Sequence, residues 1–172
     1  MNRREFMLGM GSLATAALAS DGGSSVVTAP EKGSLLPITG TFLDEISHDI
    51  PHQNWGEKEW SRDFEYMKAV GIRDGCLIRA GHRKFLTYPS EVLMARGCYR
   101  PGEDLVEMFL RLSDRHGMNF WFGLYDPGKE HSLAHYAEVN MAVIEEAWRR
   151  YGHHPSFKGW DISSEFSRRR EG

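Results

Sequence analysis

Three stretches of this chain repeat apolar residues at helical spacing, and each stops at a glycine, Gly71, Gly117 or Gly152. Glycine is the expected C-terminal punctuation of a helix, because it accepts the left-handed backbone without a Cβ clash. The spacing predicts helices over 57–70, 102–116 and 135–151. Trp60, Phe64, Met67 and Val70 mark the inner side of the first. Leu105, Val106, Phe109, Leu110 and Leu112 mark the second, whose opening acids Glu103 and Asp104 suit a helix N-terminus. Tyr136, Val139, Val143, Ile144, Ala147, Trp148 and Tyr151 mark the third. Four short apolar runs, 38–43, 75–79, 119–125 and 157–163, alternate with them and read as strands.

Strict alternation of strand and helix implies a parallel sheet with crossover helices. The connections are unequal. After Gly71 and Gly117 the next strand begins within a few residues, whereas the strand-to-helix segments 44–56, 80–102 and 125–134 are long. One end of such a sheet is trimmed for stability and the other elaborated for function. The fold class expected is α/β, built of parallel (β/α) repeats. A closed eight-stranded barrel takes about 250 residues, and four strands with three helices correspond to the first half of a TIM barrel, truncated. The last strand would then carry an unpaired edge. Two copies could pair such edges into eight strands, so a homodimer is a possible assembly.

Polar residues gather at the predicted C-terminal strand ends. The first strand runs into Asp44 and Glu45, followed by a polar stretch with His48, Asp49, His52, Gln53, Asn54 and Trp55. The second offers Arg79, His82 and Arg83, with Tyr88 beyond; the third offers Tyr125 and Asp126; the fourth offers Glu165. Carboxylates around a pocket with aromatic neighbours suit carbohydrate chemistry. One acid protonates a leaving oxygen while a second attacks or activates water. Flat aromatic faces can support the C–H face of a sugar ring. The candidate substrate-binding residues are Asp44, Glu45, Trp55, Arg79, His82, Tyr88, Tyr125 and Asp126. Against this, Asp126-Pro127-Gly128 is also a plain turn sequence, and Trp121, within Asn-Phe-Trp-Phe-Gly-Leu-Tyr, is expected in the core.

Other chemistries find less support. A net charge of −3 offers no basic footprint for nucleic acid. Cys76 and Cys98 lack zinc-site spacing, and Cys76 is read as a buried thiol rather than half of a disulfide. His48 and His52 stand four apart, but Pro51 disrupts any helix that would align them. His153-His154-Pro155 follows a helix C-terminus, where the dipole favours a positive imidazolium. Neither a metal nor a cofactor is expected. Gly-x-Gly-x-x-Gly, P-loop and Gly-x-Ser-x-Gly patterns are missing.

The start of the chain reads as an address. Arg3-Arg4 precedes Phe6-Met7 and a mildly apolar run that closes on Ala17-Leu18-Ala19, a cleavage-like pattern. It resembles a twin-arginine (Tat) export signal. Residues 1–19 are therefore expected to be a signal peptide, 20–36 a Gly/Ser-rich linker and 37–172 the partial barrel. The expected location is periplasmic or extracellular, with membrane involvement only through that signal.

Gly40-Thr-Phe-Leu-Asp-Glu-Ile-Ser-His-Asp-Ile-Pro-His-Gln-Asn-Trp-Gly56, Ile78-Arg-Ala-Gly-His-Arg-Lys-Phe-Leu-Thr-Tyr-Pro89 and Tyr151-Gly-His-His-Pro-Ser-Phe-Lys-Gly-Trp160 resemble a known family. It is the bacterial domain of unknown function 4434 family, exported proteins considered TIM barrels akin to glycoside hydrolases. The resemblance covers about residues 37–166, the front half of such a barrel. It implies an exported, glycoside-hydrolase-like protein acting on carbohydrate. In the wider clan of glycosidase barrels the general acid/base is a glutamate ending the fourth strand, and the nucleophile ends the seventh. The resemblance thus assigns the acid/base position to Glu165. Ser164 stands where that clan usually has asparagine. With no seventh strand, this chain is expected to be an inactive N-terminal fragment. A barrel that binds sugar without cleaving it, and a half-barrel that dimerises, are the alternatives.

Overall fold

The computed structural model describes residues 36–44, 55–128 and 132–163. In chain order the elements are β1 (Gly40–Leu43), α1 (Glu57–Ala69), β2 (Asp74–Leu77), β3 (Gly81–His82) and β4 (Phe85–Leu86). Next come α2 (Glu91–Met94), α3 (Leu105–His116), β5 (Asn119–Gly123), β6 (Tyr125–Asp126), α4 (Leu133–Tyr151) and β7 (Phe157–Asp161). Strands β1, β2, β5 and β7 form a parallel sheet in that order. The expected α/β repeat is present, and the four-stranded sheet is not closed into a barrel.

Register divides the sheet into two unlike faces. Thr41, Gly75, Phe120 and Phe157 form one row, and Leu43, Leu77, Phe122 and Trp160 another. These rows face the helices. Leu77, Phe120 and Phe122 are fully buried there with Trp60, Phe64, Phe109, Val143 and Tyr151. Phe109 meets Trp60 edge-on at 4.8 Å and stacks on Phe64 at 6.0 Å, locking α1 to α3. The intervening row, Phe42, Cys76, Trp121 and Gly159, points the other way and stays partly open. Lys158 is an extra residue in β7, a bulge that keeps Phe157 and Gly159 on opposite faces.

The helix ends follow local chemistry. Asp104 caps α3, its Oδ1 accepting from the Glu107 N–H at 3.0 Å, and Ser132 caps α4 by accepting from the His135 N–H. The predicted second helix therefore starts later, at Leu105, and the third earlier, at Leu133. Gly71 and Gly117 have the left-handed backbone expected of them, at φ 94° and 63°. Gly152 does not: its φ is −63°. It is required for space, since a Cβ there would sit 2.6 Å from the Trp148 carbonyl oxygen.

The largest departure from the sequence reading lies beyond the strand ends. The predicted strand 119–125 breaks at Leu124, whose N–H donates to the Asp161 carbonyl at 2.9 Å. The chain resumes as β6, which pairs with β3. Likewise the predicted strand 75–79 ends at Leu77, and its continuation reappears as β3. The second and third strands are thus extended past the main sheet by a small three-stranded sheet, β4-β3-β6. The segment 80–102, read as a long loop, holds the β3–β4 hairpin and the short helix α2.

Candidate functional site

The extension of β2 and β5 determines what meets at the rim. His82 and Asp126 are register partners in β3 and β6. The His82 Nδ1 lies 3.0 Å from the Asp126 Oδ2. Arg79, just after β2, reaches both Asp126 (Nη1 to Oδ2, 3.6 Å) and Asp44 (Nη2 to Oδ2, 4.0 Å), and its Nη1 lies 3.4 Å from the His82 Nδ1. Three strand ends thereby deliver one half-buried cluster of two carboxylates, a guanidinium and an imidazole. The Arg79 Nε is buried and makes no hydrogen bond among the described residues.

Asp126 is held from several sides. Its Oδ1 accepts from the Gly128 N–H at 2.8 Å. Just before it, Tyr125 is clamped by Asn140 of α4, buried in the core. The Asn140 Oδ1 accepts from the Tyr125 N–H at 2.8 Å, and its Nδ2 donates to the Tyr125 carbonyl at 2.9 Å. Asn140 thus takes the place of a neighbouring strand at Tyr125, satisfying both of that residue's backbone groups. The Tyr125 hydroxyl donates to the Arg83 carbonyl at 2.6 Å. Burial first, then the neighbouring Cys98 thiol, pushes its phenol above the ordinary tyrosine range.

Arg83 has φ 53°, the left-handed region, in a two-residue hairpin loop. Such a conformation costs of order 1–3 kcal/mol in a residue other than glycine and persists only where surroundings enforce it. Here its N–H donates to the Asp126 carbonyl at 2.9 Å while its carbonyl receives the Tyr125 hydroxyl. His82-Arg83-Lys84-Phe85 has no glycine or asparagine to announce the turn, which is why the sequence concealed it.

The candidate residues separate into groups. Asp44, Arg79, His82 and Asp126 come together, with Tyr125 buried beneath them. Tyr88 does not join them: it is fully buried, its ring edge-on to Phe122 and Tyr151, so it offers no face to a sugar. Trp55 lies edge-on to Trp60 and lines, with Glu59, Arg62, Asp63 and Tyr66, a surface hollow of about 270 Å³ on α1. Glu45 and Glu165 lie outside the described residues, as do His48 and His52.

Trp121 corrects the sequence reading in the opposite direction. It lies on the open face, 37% exposed. Its indole spreads over Gly159, where a Cβ would approach Cζ3 to 2.8 Å, and its Nε1 donates to the Asp74 Oδ1 at 3.4 Å. Phe42, two strands away in the same row, is 65% exposed. Cys76, expected to be buried, is half-buried on this face. Burial and the negative charge of Asp161 push its thiol up to about 12, so it is a poor nucleophile.

What the cluster can do follows from its donors and acceptors. Carboxylates facing a guanidinium act as acceptors and anion centres rather than as proton donors. His82, in the tautomer that donates from Nδ1 to Asp126, has its Nε2 lone pair free to accept from a bound hydroxyl. The group is suited to reading hydroxyls in a fixed pattern.

Residues 38–170 match the family model described as Domain of unknown function (DUF4434). Among solved structures, the chain is similar to one described as a "putative alpha-L-fucosidase" from Bacteroides thetaiotaomicron VPI-5482, with 57% identity and a TM-score of 0.70. The similarity covers 74% of this chain and 41% of that one, so this chain spans well under half of its length. No curated protein matches.

Proposed function

The chain belongs to the DUF4434 family, and from that premise we propose that it is part of an exported, glycoside-hydrolase-like protein whose rim around Arg79 receives a sugar. The observation that carries this reading is the 57% identity to the protein described as a "putative alpha-L-fucosidase". The rim supports it in kind. Asp44 and Asp126 accept from sugar hydroxyls, Arg79 donates to ring or hydroxyl oxygens, and His82 serves as either. Glu165 is proposed as the general acid/base, protonating the leaving oxygen. The 172 residues alone bind sugar without turning it over, since a glycosidase needs a second reacting carboxylate that this reading does not assign. Export rests on Arg3-Arg4 and the Ala17-Leu18-Ala19 pattern.

Intrinsic tryptophan fluorescence of the chain, titrated with L-fucose and a panel of other monosaccharides, tests the reading. A saturable change with at least one sugar is expected, weakened about tenfold or more in Arg79→Met. Flat titrations across the panel would remove the rim from consideration as a sugar site. Hydrolysis of an aryl α-L-fucoside by the chain alone would overturn the assignment of binding without turnover.

A second reading, a half-barrel homodimer, is favoured by the open row of Phe42, Cys76 and Trp121. A parallel sheet ordinarily has both faces covered. Among the described residues this one has its helices on one face only, and β1 and β7 are unpaired on their outer edges. Light scattering decides it: a strict monomer at high micromolar concentration excludes the dimer.

A further inference from the structure

Away from the rim, the helix-side connection into β7 gathers four titratable side chains. His153 and His154 follow α4 directly. Glu107 and Asp114 lie seven residues apart on α3, two turns along the same side of the helix. The ring of His154 is buried, with Nδ1 2.6 Å from the Asp114 Oδ2 and Nε2 3.3 Å from the Glu107 Oε2. The His153 ring lies 4.3 Å from that of His154, and ligand atoms of Glu107, His153 and His154 all fall within 4.8 Å of one another.

The two carboxylates create a requirement. A neutral imidazole has one N–H and one lone pair, so one of the two carboxylates would face a lone pair. Two arrangements resolve this: a doubly protonated His154, or a cation held between Nε2 and Glu107. A proton between Nε2 and Glu107 needs no third ligand and leaves the His153 ring, 4.3 Å away, with no bond to make. A metal accounts for all four groups. Asp114, itself fixed by the Ser156 N–H at 2.9 Å, takes the Nδ1 proton and turns Nε2 outward. That is the carboxylate–histidine–metal relation that sets the tautomer of a ligand.

We propose that Glu107, His153 and His154 bind a divalent transition-metal ion of the zinc class, with Asp114 as the positioning residue behind His154. Two imidazoles and one carboxylate match a donor set that zinc accepts, with water completing a tetrahedron. His154 is preset by burial. Glu107 and His153 are more exposed and free to rotate the last distance to bonding range, about 2.0–2.2 Å. The site lies at the N-terminal end of β7, opposite the rim, where barrels invest in stability rather than catalysis. Its effect is to clip α3 to the α4–β7 connection.

The experiment uses the tag-free 172-residue chain, stripped with EDTA and titrated with zinc chloride by calorimetry, with thermal melting in parallel. One equivalent is expected to bind. The melting temperature should rise on the order of 5–10 °C at a free zinc concentration 100-fold above Kd. His153→Ala and Glu107→Gln, both at accessible positions that leave the core intact, should each weaken binding at least tenfold. Asp114→Asn should weaken it about 10- to 100-fold. Absence of zinc binding overturns the proposal. So does binding that is unchanged in both His153→Ala and Glu107→Gln, because the metal would then sit at other residues.

Discussion

The hydroxyl of Tyr88 donates to the Glu146 Oε2 at 2.9 Å inside the core, joining residues 58 positions apart. Ser90 donates to the same oxygen at 2.5 Å, while the Glu91 and Val92 N–H groups donate to the Oε1 at 2.7 and 3.3 Å. A carboxylate only 3% exposed is thus surrounded by four donors. Three of them come from the start of α2, so Glu146 ties the segment beyond β4 to α4. Removing the acceptor leaves the buried donors unsatisfied, at about 1–3 kcal/mol for each that water cannot reach. Glu146→Ala should therefore cost on the order of 3 kcal/mol or more in urea unfolding. Glu146→Gln should cost less but still destabilise, because its amide must turn a donor toward another donor. A Glu146→Ala variant as stable as wild type would show that the cluster is not closed in solution.

Tyr88 shares a second property with Tyr125 and Tyr151. Burial, the largest cause in each, pushes all three phenols above their ordinary value of 10.0. The acceptors Glu146 and Asp104 add to this at Tyr88 and Tyr151. The native state then keeps protons that the unfolded chain releases, so stability is full below pH 10 and falls as pH rises above it. Spectrophotometric titration should show three of the six tyrosines ionising only as the protein unfolds. Free ionisation of all six near pH 10, with circular dichroism unchanged, would contradict that burial.

The acid limb is governed from the other side of α3. Burial alone would raise the Asp114 carboxyl, but hydrogen bonds from His154 and Ser156 overcome it and hold the group below 3.8. A depressed native value means stability present above the unfolded value and lost as pH falls through the native one. Metal-free Asp114→Asn should therefore be less stable at neutral pH and lose less between pH 4 and pH 2. Parallel acid unfolding curves for the two proteins would refute this.

The parts of the fold legible in the sequence are those set by local periodicity. Phe64, Met67, Phe109 and Leu112 repeat at helical spacing, and their helices appear with ends displaced by caps such as Asp104 and Ser132. What was hidden depends on distant partners. Tyr88 reads as a loop aromatic until Glu146 is seen beside it, and nothing nearby in sequence predicts that acceptor. Trp121 sits in an apolar run, but the core face of β5 is fixed by its neighbours, and Phe120 and Phe122 take that face. At the rim, the strand-end rule placed Asp44, Arg79 and Asp126 correctly at one end of the sheet. It could not reveal that β3 and β6 carry His82 to Asp126, because that pairing needs a turn at Arg83 with no turn residue.

Asn140 offers a way to loosen the rim without touching it. Its amide satisfies both the N–H and the carbonyl of Tyr125. Asn140→Leu, close in size, orphans two backbone groups and should destabilise by about 2–4 kcal/mol. Asp126 would lose its fixed distance to His82, so any sugar affinity should fall more than in a surface control of equal stability. Retained affinity in a folded Asn140→Leu protein would separate the clamp from the site.

Neighbouring aromatic residues of β5 give the sharpest test of the two-faced sheet. Phe122 is fully buried against Tyr88, Phe157 and Trp160, whereas Trp121 spreads over Gly159 on the open side. Truncating a large buried aromatic costs about 3–5 kcal/mol, and Phe122→Ala should fall in that range. Trp121→Ala removes a larger ring but leaves no closed cavity, so it should cost about 1–2 kcal/mol, the transfer contribution alone. Gly159→Val should displace the indole, since the new side chain occupies its place, and shift tryptophan emission to the red. If Trp121→Ala proved the more damaging substitution, the open row would be covered in solution. The half-barrel dimer would then gain the support that the single chain does not provide.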